Sequence, residues 1–226
     1  MWPFSGKGVW LLYDPDRLEP EDFVERLAEV RAKLDVGGVL VGSSFLEGDI
    51  CGAVRRVKAL LDLPLILFPG SHYQLCGDYD YVLFLSLLSG RNPQYLIGEQ
   101  VRAAPLIKRL GLKVIPTAYI LVEGGTYTAT EFVSNTKPIP REKTELIVAH
   151  ALAGKYMGFA AVYLEAGSGA ILSVPLEAVR RVKEETGLPL IVGGGIRASE
   201  EVAEFHDAGA DIVVIGTALE DGSIAL

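Results

Sequence analysis

The chain has 226 residues, half of them hydrophobic, a formal net charge of −8 and two cysteines. This length is enough for one large buried core, and the acidic balance excludes a nucleic-acid partner, because phosphate backbones call for a basic footprint. No apolar run approaches the roughly 20 residues needed to span a bilayer, and residues 1–7 lack the apolar stretch and cleavage site of a secretory signal. The expectation is a single cytoplasmic domain over residues 1–226.

Taken in order, residues 8–13 form an apolar run closed by Asp14-Pro15-Asp16, which predicts a first buried strand. Phe23, Leu27, Val30 and Leu34 then recur at helical spacing behind Pro20, the pattern of an amphipathic helix. Residues 38–41 predict a second strand with Gly42-Ser43-Ser44 as its carboxyl-end loop, Asp49 is placed to cap a helix over 50–61, and residues 65–68 predict a third strand. Only residues 69–80 separate it from a fourth strand at 81–85. That is short for a helical crossover and carries Pro and Gly, so the helix after the third strand is predicted to be lost or irregular. Cys51 and Cys76 are too few and too far apart for a disulfide framework or a zinc knuckle, and are expected to pack as buried apolar side chains.

Asn92-Pro93 opens a long helical stretch to Leu110, in which Pro105 is predicted to kink or divide the helix. A fifth strand runs over 114–121, with Pro116 blurring its start. The polar stretch 123–138 reads as a long loop or lid. A helix follows from Pro140 to about Met157, then a sixth strand within 159–164, a helix opened by Pro175, a seventh strand, a helix capped by Ser199, an eighth strand and a truncated last helix. Strands apolar on both faces that alternate with helices make a parallel sheet with helical cover. Eight of them predict a modified TIM (β/α)8 barrel, and no Gly-x-Gly-x-x-Gly follows the first strand.

Three late strands end in small turns: Tyr163-Leu164-Glu165-Ala166-Gly167-Ser168-Gly169, Gly193-Gly194-Gly195 and Gly216-Thr217. Glycine lets a ligand approach backbone N–H groups and lets the chain take positive φ, as a phosphate cradle requires, and barrels of this class commonly bind phosphate after strands seven and eight. Glu165, a carboxylate beside an anion site, suits a general base that accepts a proton from a hydroxyl of a phosphorylated ligand. Asp14 and Asp16 offer hard oxygens suited to Mg²⁺, and the Ser44 hydroxyl could add another.

In matching order, Leu12-Tyr13-Asp14-Pro15-Asp16, Phe68-Pro69-Gly70-Ser71, Ser86-Leu87-Leu88-Ser89-Gly90-Arg91-Asn92-Pro93, the Tyr163–Ala170 stretch and Val192-Gly193-Gly194-Gly195-Ile196-Arg197 resemble the geranylgeranylglyceryl phosphate synthases, over nearly the whole chain. The resemblance implies a prenyltransferase that joins sn-glycerol 1-phosphate to geranylgeranyl diphosphate and releases pyrophosphate, in archaeal-type membrane lipid synthesis. It implies Mg²⁺ held by Asp14 and Ser44, glycerol phosphate held by residues 163–169 with Gly194, Gly195, Gly216 and Thr217, Glu165 on its hydroxyls, and a homo-oligomer. The gap left by the irregular third helix, near Tyr73 or Leu75, is the expected groove for the prenyl tail. Three departures from the family pattern stand out: Ser89-Gly90 for Asn-Ser, Gly42-Ser43-Ser44 for Gly-Gly-Ser, and Arg17 for Lys. The rival readings are a related synthase for a longer prenyl diphosphate, a phosphosugar isomerase or aldolase, and a silent phosphate-binding barrel. No lysine follows these strands to serve the second, and intact Asp14 and Glu165 speak against the third.

Overall fold

In the computed structural model, which describes residues 2–226 except Ser44 and Leu46, eight parallel strands close on themselves in chain order. They are β1 (Gly8–Tyr13), β2 (Val36–Val41), β3 (Leu65–Leu67), β4 (Tyr81–Leu87), β5 (Lys113–Leu121), β6 (Ala161–Glu165), β7 (Leu190–Gly193) and β8 (Ile212–Ile215). β8 returns to β1 through the register Gly8↔Ile212 to Leu11↔Ile215. Each strand alternates between two apolar layers, so both of its faces are buried. Trp10, Leu40, Ile66, Leu83, Ile115, Tyr163 and Ile191 fill the barrel interior. Their neighbours, such as Leu11, Val39, Leu65, Val162 and Val192, pack outward against the helices.

The outer ring consists of α1 (Pro20–Arg31), α2 (Ile50–Leu60), α3 (Glu99–Leu110), α4 (Ala129–Ser134), α5 (Thr144–Tyr156), α6 (Leu176–Thr186), α7 (Ser199–Asp207) and α8 (Thr217–Glu220). Asp49 caps α2, its carboxylate accepting from Gly52 N at 3.0 Å. Between β3 and β4 there is only one 3-10 turn, His72–Gln74, so the expected gap is real. Buried Gln74 braces that segment, accepting from Gly70 N at 2.7 Å and donating to the Ser43 carbonyl at 2.9 Å. Cys76 is joined to Cys51 of α2 by a disulfide, with a Cα–Cα distance of 5.8 Å. The expectation of two unpaired apolar cysteines is thereby corrected: the missing helix brings the return segment directly against α2.

Other departures are local. Pro105 does not divide its helix; it lies on the exposed face, where water can take the carbonyl it leaves unbonded. The irregularity falls earlier, in a π turn over Gln94–Gly98, whose Leu96 carbonyl accepts from Ser86 Oγ at 2.7 Å. β5 begins at Lys113 and runs through Pro116, whose carbonyl accepts from Ala160 N at 2.8 Å. The 123–138 stretch is not all loop. Thr128 and Glu131 form a reciprocal capping box that starts α4. α5 begins at Thr144 rather than Pro140, and α7 has Ala198, not Ser199, at its N-cap. There Glu201 does the capping, accepting from Arg197 N and Ala198 N at 2.7 and 3.0 Å.

Candidate active site

At the carboxyl end of the barrel, the turns after β6, β7 and β8 meet along one wall of a cleft of about 280 Å³. Of the residues expected in the cradle, Tyr163, Glu165, Gly167, Ser168, Gly169, Gly194, Gly195, Gly216 and Thr217 line the cleft. Leu164 and Ala166 do not: strand alternation turns both outward into the packing beneath the helices, and Ala166 N is already committed to the Gly193 carbonyl at 3.0 Å. Gly194 carries the clearest requirement for glycine. Its φ is +87°, and a Cβ there would lie 2.5 Å from Glu165 Oε1 and 2.7 Å from Gly167 N. Among the described residues no protein acceptor takes the N–H groups of Ser168, Gly194 or Gly195, which leaves them to a ligand.

Glu165 lies behind the cradle, only 6% exposed. Oε1 accepts from Gly167 N at 2.7 Å, and the Tyr163 hydroxyl bonds the same carboxylate. Burial is the dominant influence and raises its pKa to about 7, against the lowering effect of those two bonds. The group therefore titrates near neutrality, where a general base is most useful. Beneath it lies an aromatic floor. Phe68 stacks on Tyr163 at 5.2 Å, and Tyr119 meets both rings edge-on at 5.7 and 5.4 Å. Burial, then the nearby Glu165 charge, pushes the phenols of Tyr119 and Tyr163 well above their usual range, so both remain hydrogen-bond donors. The reading of the sequence missed Tyr119. Its inward parity near the end of β5, shared with Leu121, is the signal that could have found it. Its hydroxyl bonds Thr130 of α4 and so ties the lid to the floor.

The lid also packs on the cradle, since a Cβ at Gly167 would lie 2.4 Å from Thr128 Cγ2. The Ser86–Pro93 motif supports the lid rather than the chemistry: Asn92 Nδ2 donates to the Ser134 carbonyl at 2.8 Å, and Ser89 Oγ accepts from Leu121 N at 2.9 Å.

Asp14 lines the cleft beside Ser43, Arg17 and Glu220. Its pKa is raised, first by burial and then, against two hydrogen bonds, by the charge of Asp16; Glu220 is raised by burial and by Asp14 in turn. Asp16 is not aimed into the cleft. Its two oxygens clamp the next loop, accepting from Glu47 N at 2.8 Å and Gly48 N at 3.0 Å. Ser44 lies outside the described residues. Among the described residues, the Ser43 hydroxyl lies beside Asp14, facing its carboxylate and the Phe45 carbonyl, the latter at 2.9 Å. Among the described residues no group of three or more His, Cys, Asp or Glu is close enough to hold a metal by itself.

From this polar end the cleft continues past Phe68 and Pro69 into an apolar arm. Leu75, Val82, Phe84, Ala103 and Ile107 line it where the ring lacks its helix. Leu75 is a wall residue, whereas Tyr73, 83% exposed, lines no part of it.

Residues 7–225 match the PcrB family. The chain belongs to that family. It is 47% identical to a geranylgeranylglyceryl phosphate synthase of Pyrococcus abyssi, the match covering 96% of this chain and 86% of the relative. To the enzyme of the same name from Zunongwangia profunda it is 44% identical, with 94% and 90% covered. Among solved structures it superposes with a TM-score of 0.88, at 36% identity over 96% of this chain and 87% of the other, on (S)-3-O-geranylgeranylglyceryl phosphate synthase from Thermoplasma acidophilum in complex with substrate sn-glycerol-1-phosphate. An N-acetylmannosamine-6-phosphate 2-epimerase from Clostridium perfringens, TM-score 0.57 at 14% identity, shares the fold alone.

Proposed function

We propose that this member of the family joins sn-glycerol 1-phosphate to geranylgeranyl diphosphate, forming an ether at the glycerol 3-oxygen and releasing pyrophosphate. The observation that carries the proposal is the continuity of one cleft: a glycine cradle backed by an ionisable, buried Glu165 at one end and an apolar arm at the other. The relatives' shared name and the Thermoplasma complex point the same way.

The cradle N–H groups hold the phosphate and fix the glycerol hydroxyl near the allylic carbon. Glu165 accepts the hydroxyl proton as the oxygen bonds to that carbon and the carbon–diphosphate bond breaks. The Tyr163 hydroxyl and Gly167 N hold the carboxylate in place, and the dry aromatic floor keeps water from competing for the carbon. The donor set near Asp14 fits Mg²⁺. One partly buried carboxylate with excess negative charge around it, plus a hydroxyl oxygen, matches an ion that keeps waters and relies on substrate phosphates for its remaining ligands. Asp14 and a serine of the Ser43-Ser44 pair would hold it, and an ion there would supply charge to offset that of the departing pyrophosphate.

Among the described residues no helix is long and apolar enough to cross a membrane. We place the enzyme in the cytoplasm as a homo-oligomer.

The test is to incubate purified protein with Mg²⁺, sn-glycerol 1-phosphate and geranylgeranyl diphosphate, following ether product and pyrophosphate. Product from the wild type, with loss in Glu165→Gln and Asp14→Asn, is expected. No product from a protein that still binds glycerol phosphate would overturn the choice of second substrate.

A further inference from the structure

Among the described residues five aromatic side chains are largely exposed: Phe45 (70%), Tyr73 (83%), Tyr127 (70%), Phe132 (73%) and Tyr156 (79%). The first four sit on the segments that follow β2, β3 and β5, Tyr73 in the 3-10 turn and Phe132 in α4, all at the carboxyl face. Ile171, 69% exposed, joins them from the loop after β6. These are not scattered surface positions. Each either lines the cleft, as Phe45 does, or lies within two residues of one that does: His72 beside Tyr73, Ala129 after Tyr127, Val133 after Phe132 and Ala170 before Ile171. Tyr127 and Phe132 meet edge to face at 6.4 Å. Apolar side chains thus surround the mouth of the cleft, Tyr73 beside the apolar arm and Phe45 and Ile171 beside the polar end.

We propose that this rim docks on the surface of an uncharged or zwitterionic lipid bilayer, so that a prenyl chain passes between membrane and apolar arm without crossing water. The occupant is a bilayer because the rim encircles the mouth of a cleft that leads to an apolar arm, and because tyrosine and phenylalanine side chains suit the headgroup boundary, where one end of the ring is apolar and the other wet. The charge distribution fixes the kind of membrane. Exposed Asp16, Glu47 and Asp221 follow β1, β2 and β8 at the same face, against exposed Arg17, and the whole chain carries −8, so an anionic surface repels it. The inference rests on the proposed reaction for the identity of the passenger, but the docking itself is measured without substrate.

The experiment is flotation of the purified full chain with phosphatidylcholine vesicles and with vesicles doped with an anionic lipid, at low and high salt. Binding to the first that persists at high salt and weakens on the second at low salt is expected. The Tyr127→Ser/Phe132→Ser double variant, both sites exposed and outside the cleft lining, should bind about tenfold less. It should retain wild-type kcat/KM toward a short, water-soluble allylic diphosphate. Failure of the wild type to float, equal flotation of the double variant, or stronger binding to the anionic vesicles would overturn the docking. So would light scattering showing that the rim variants abolish an oligomer, which would assign the rim to a second copy of the chain. Absence of product from the short diphosphate would instead count against the proposed reaction, and the vesicle result would still decide the docking.

Discussion

At the amino end of the barrel, Trp2 stacks on Trp10 at 5.9 Å, Phe4 packs edge-on against Trp10 at 4.8 Å, and Tyr81 closes the group at 5.4 Å from Phe4. At the carboxyl end, the corresponding space is bounded by Gly167, Gly194, Gly195 and Gly216. One end is plugged with carbon and offers a ligand almost nothing; even the Trp10 Nε1 is buried without a partner among the described residues. The other leaves backbone N–H groups unspent and buries a carboxylate beside them. The difference shows where the two requirements of the molecule are met: the plug contributes cohesion, and the open end tolerates positive φ and a desolvated charge because the plug and the outer layer hold it together.

The sharpest way to break the comparison is Glu165→Gln. Loss of the base should lower kcat by about 10²–10⁴, while heat stability at pH 8 rises or holds. The sign follows from the shift. A carboxyl raised from 4.5 to about 7 binds more protons folded than unfolded in that window. Stability therefore falls as pH climbs through it, and removing the charge relieves the cost, with Tm moving about 2–4 °C per kcal/mol. Wild-type activity should rise with pH to a plateau above about 7. A profile flat through that region would remove Glu165 as the base. Next in size, Gly194→Ala strains a positive φ and crowds the Glu165 carboxylate; KM for glycerol phosphate should rise roughly 30-fold, about 2 kcal/mol. An unchanged KM would mean that the β7 turn does not hold the phosphate.

At the plugged end the readouts should reverse. Phe4→Ala should cost about 1–2 kcal/mol of stability, seen as a lower urea midpoint, and leave kcat/KM untouched well below Tm. A kinetic defect there would show that the two ends are coupled. The smallest effect is expected at the side wall. Leu75→Trp should favour shorter prenyl diphosphates by a few-fold, roughly 1 kcal/mol of overpacking, and identical chain-length preference would place the tail elsewhere.

What was legible in the sequence follows this division. The strand ends that make the cradle announce themselves, because glycine after an apolar run is a local signal, and so does the gap after β3, since too few residues remain to build a helix. Thr128 and Glu131 also carried a readable cap for α4, obscured by the polar composition around them. The Cys51–Cys76 pairing, the inward turn of Tyr119 and the outward turn of Leu164 and Ala166 depend on register and on which segments meet across the barrel, which no single stretch encodes. Pro105 misled because its cost depends on whether the helix face is wet, a tertiary fact. Asp16 misled because a carboxylate two residues from Asp14 looks like a second ligand until its oxygens are seen to be spent on Glu47 N and Gly48 N.

One consequence of the single cleft concerns the end of the catalytic cycle. In the proposed reaction the two substrates enter as separate molecules, each gripped at one end, but the bond between them makes a product gripped at both. Leaving then requires the phosphate to quit the cradle and the tail to quit the apolar arm together, so the grips that were additive on entry become multiplicative on exit. The proposed reaction then predicts that release limits turnover, and a pre-steady-state burst of ether product is the kinetic signature that checks it.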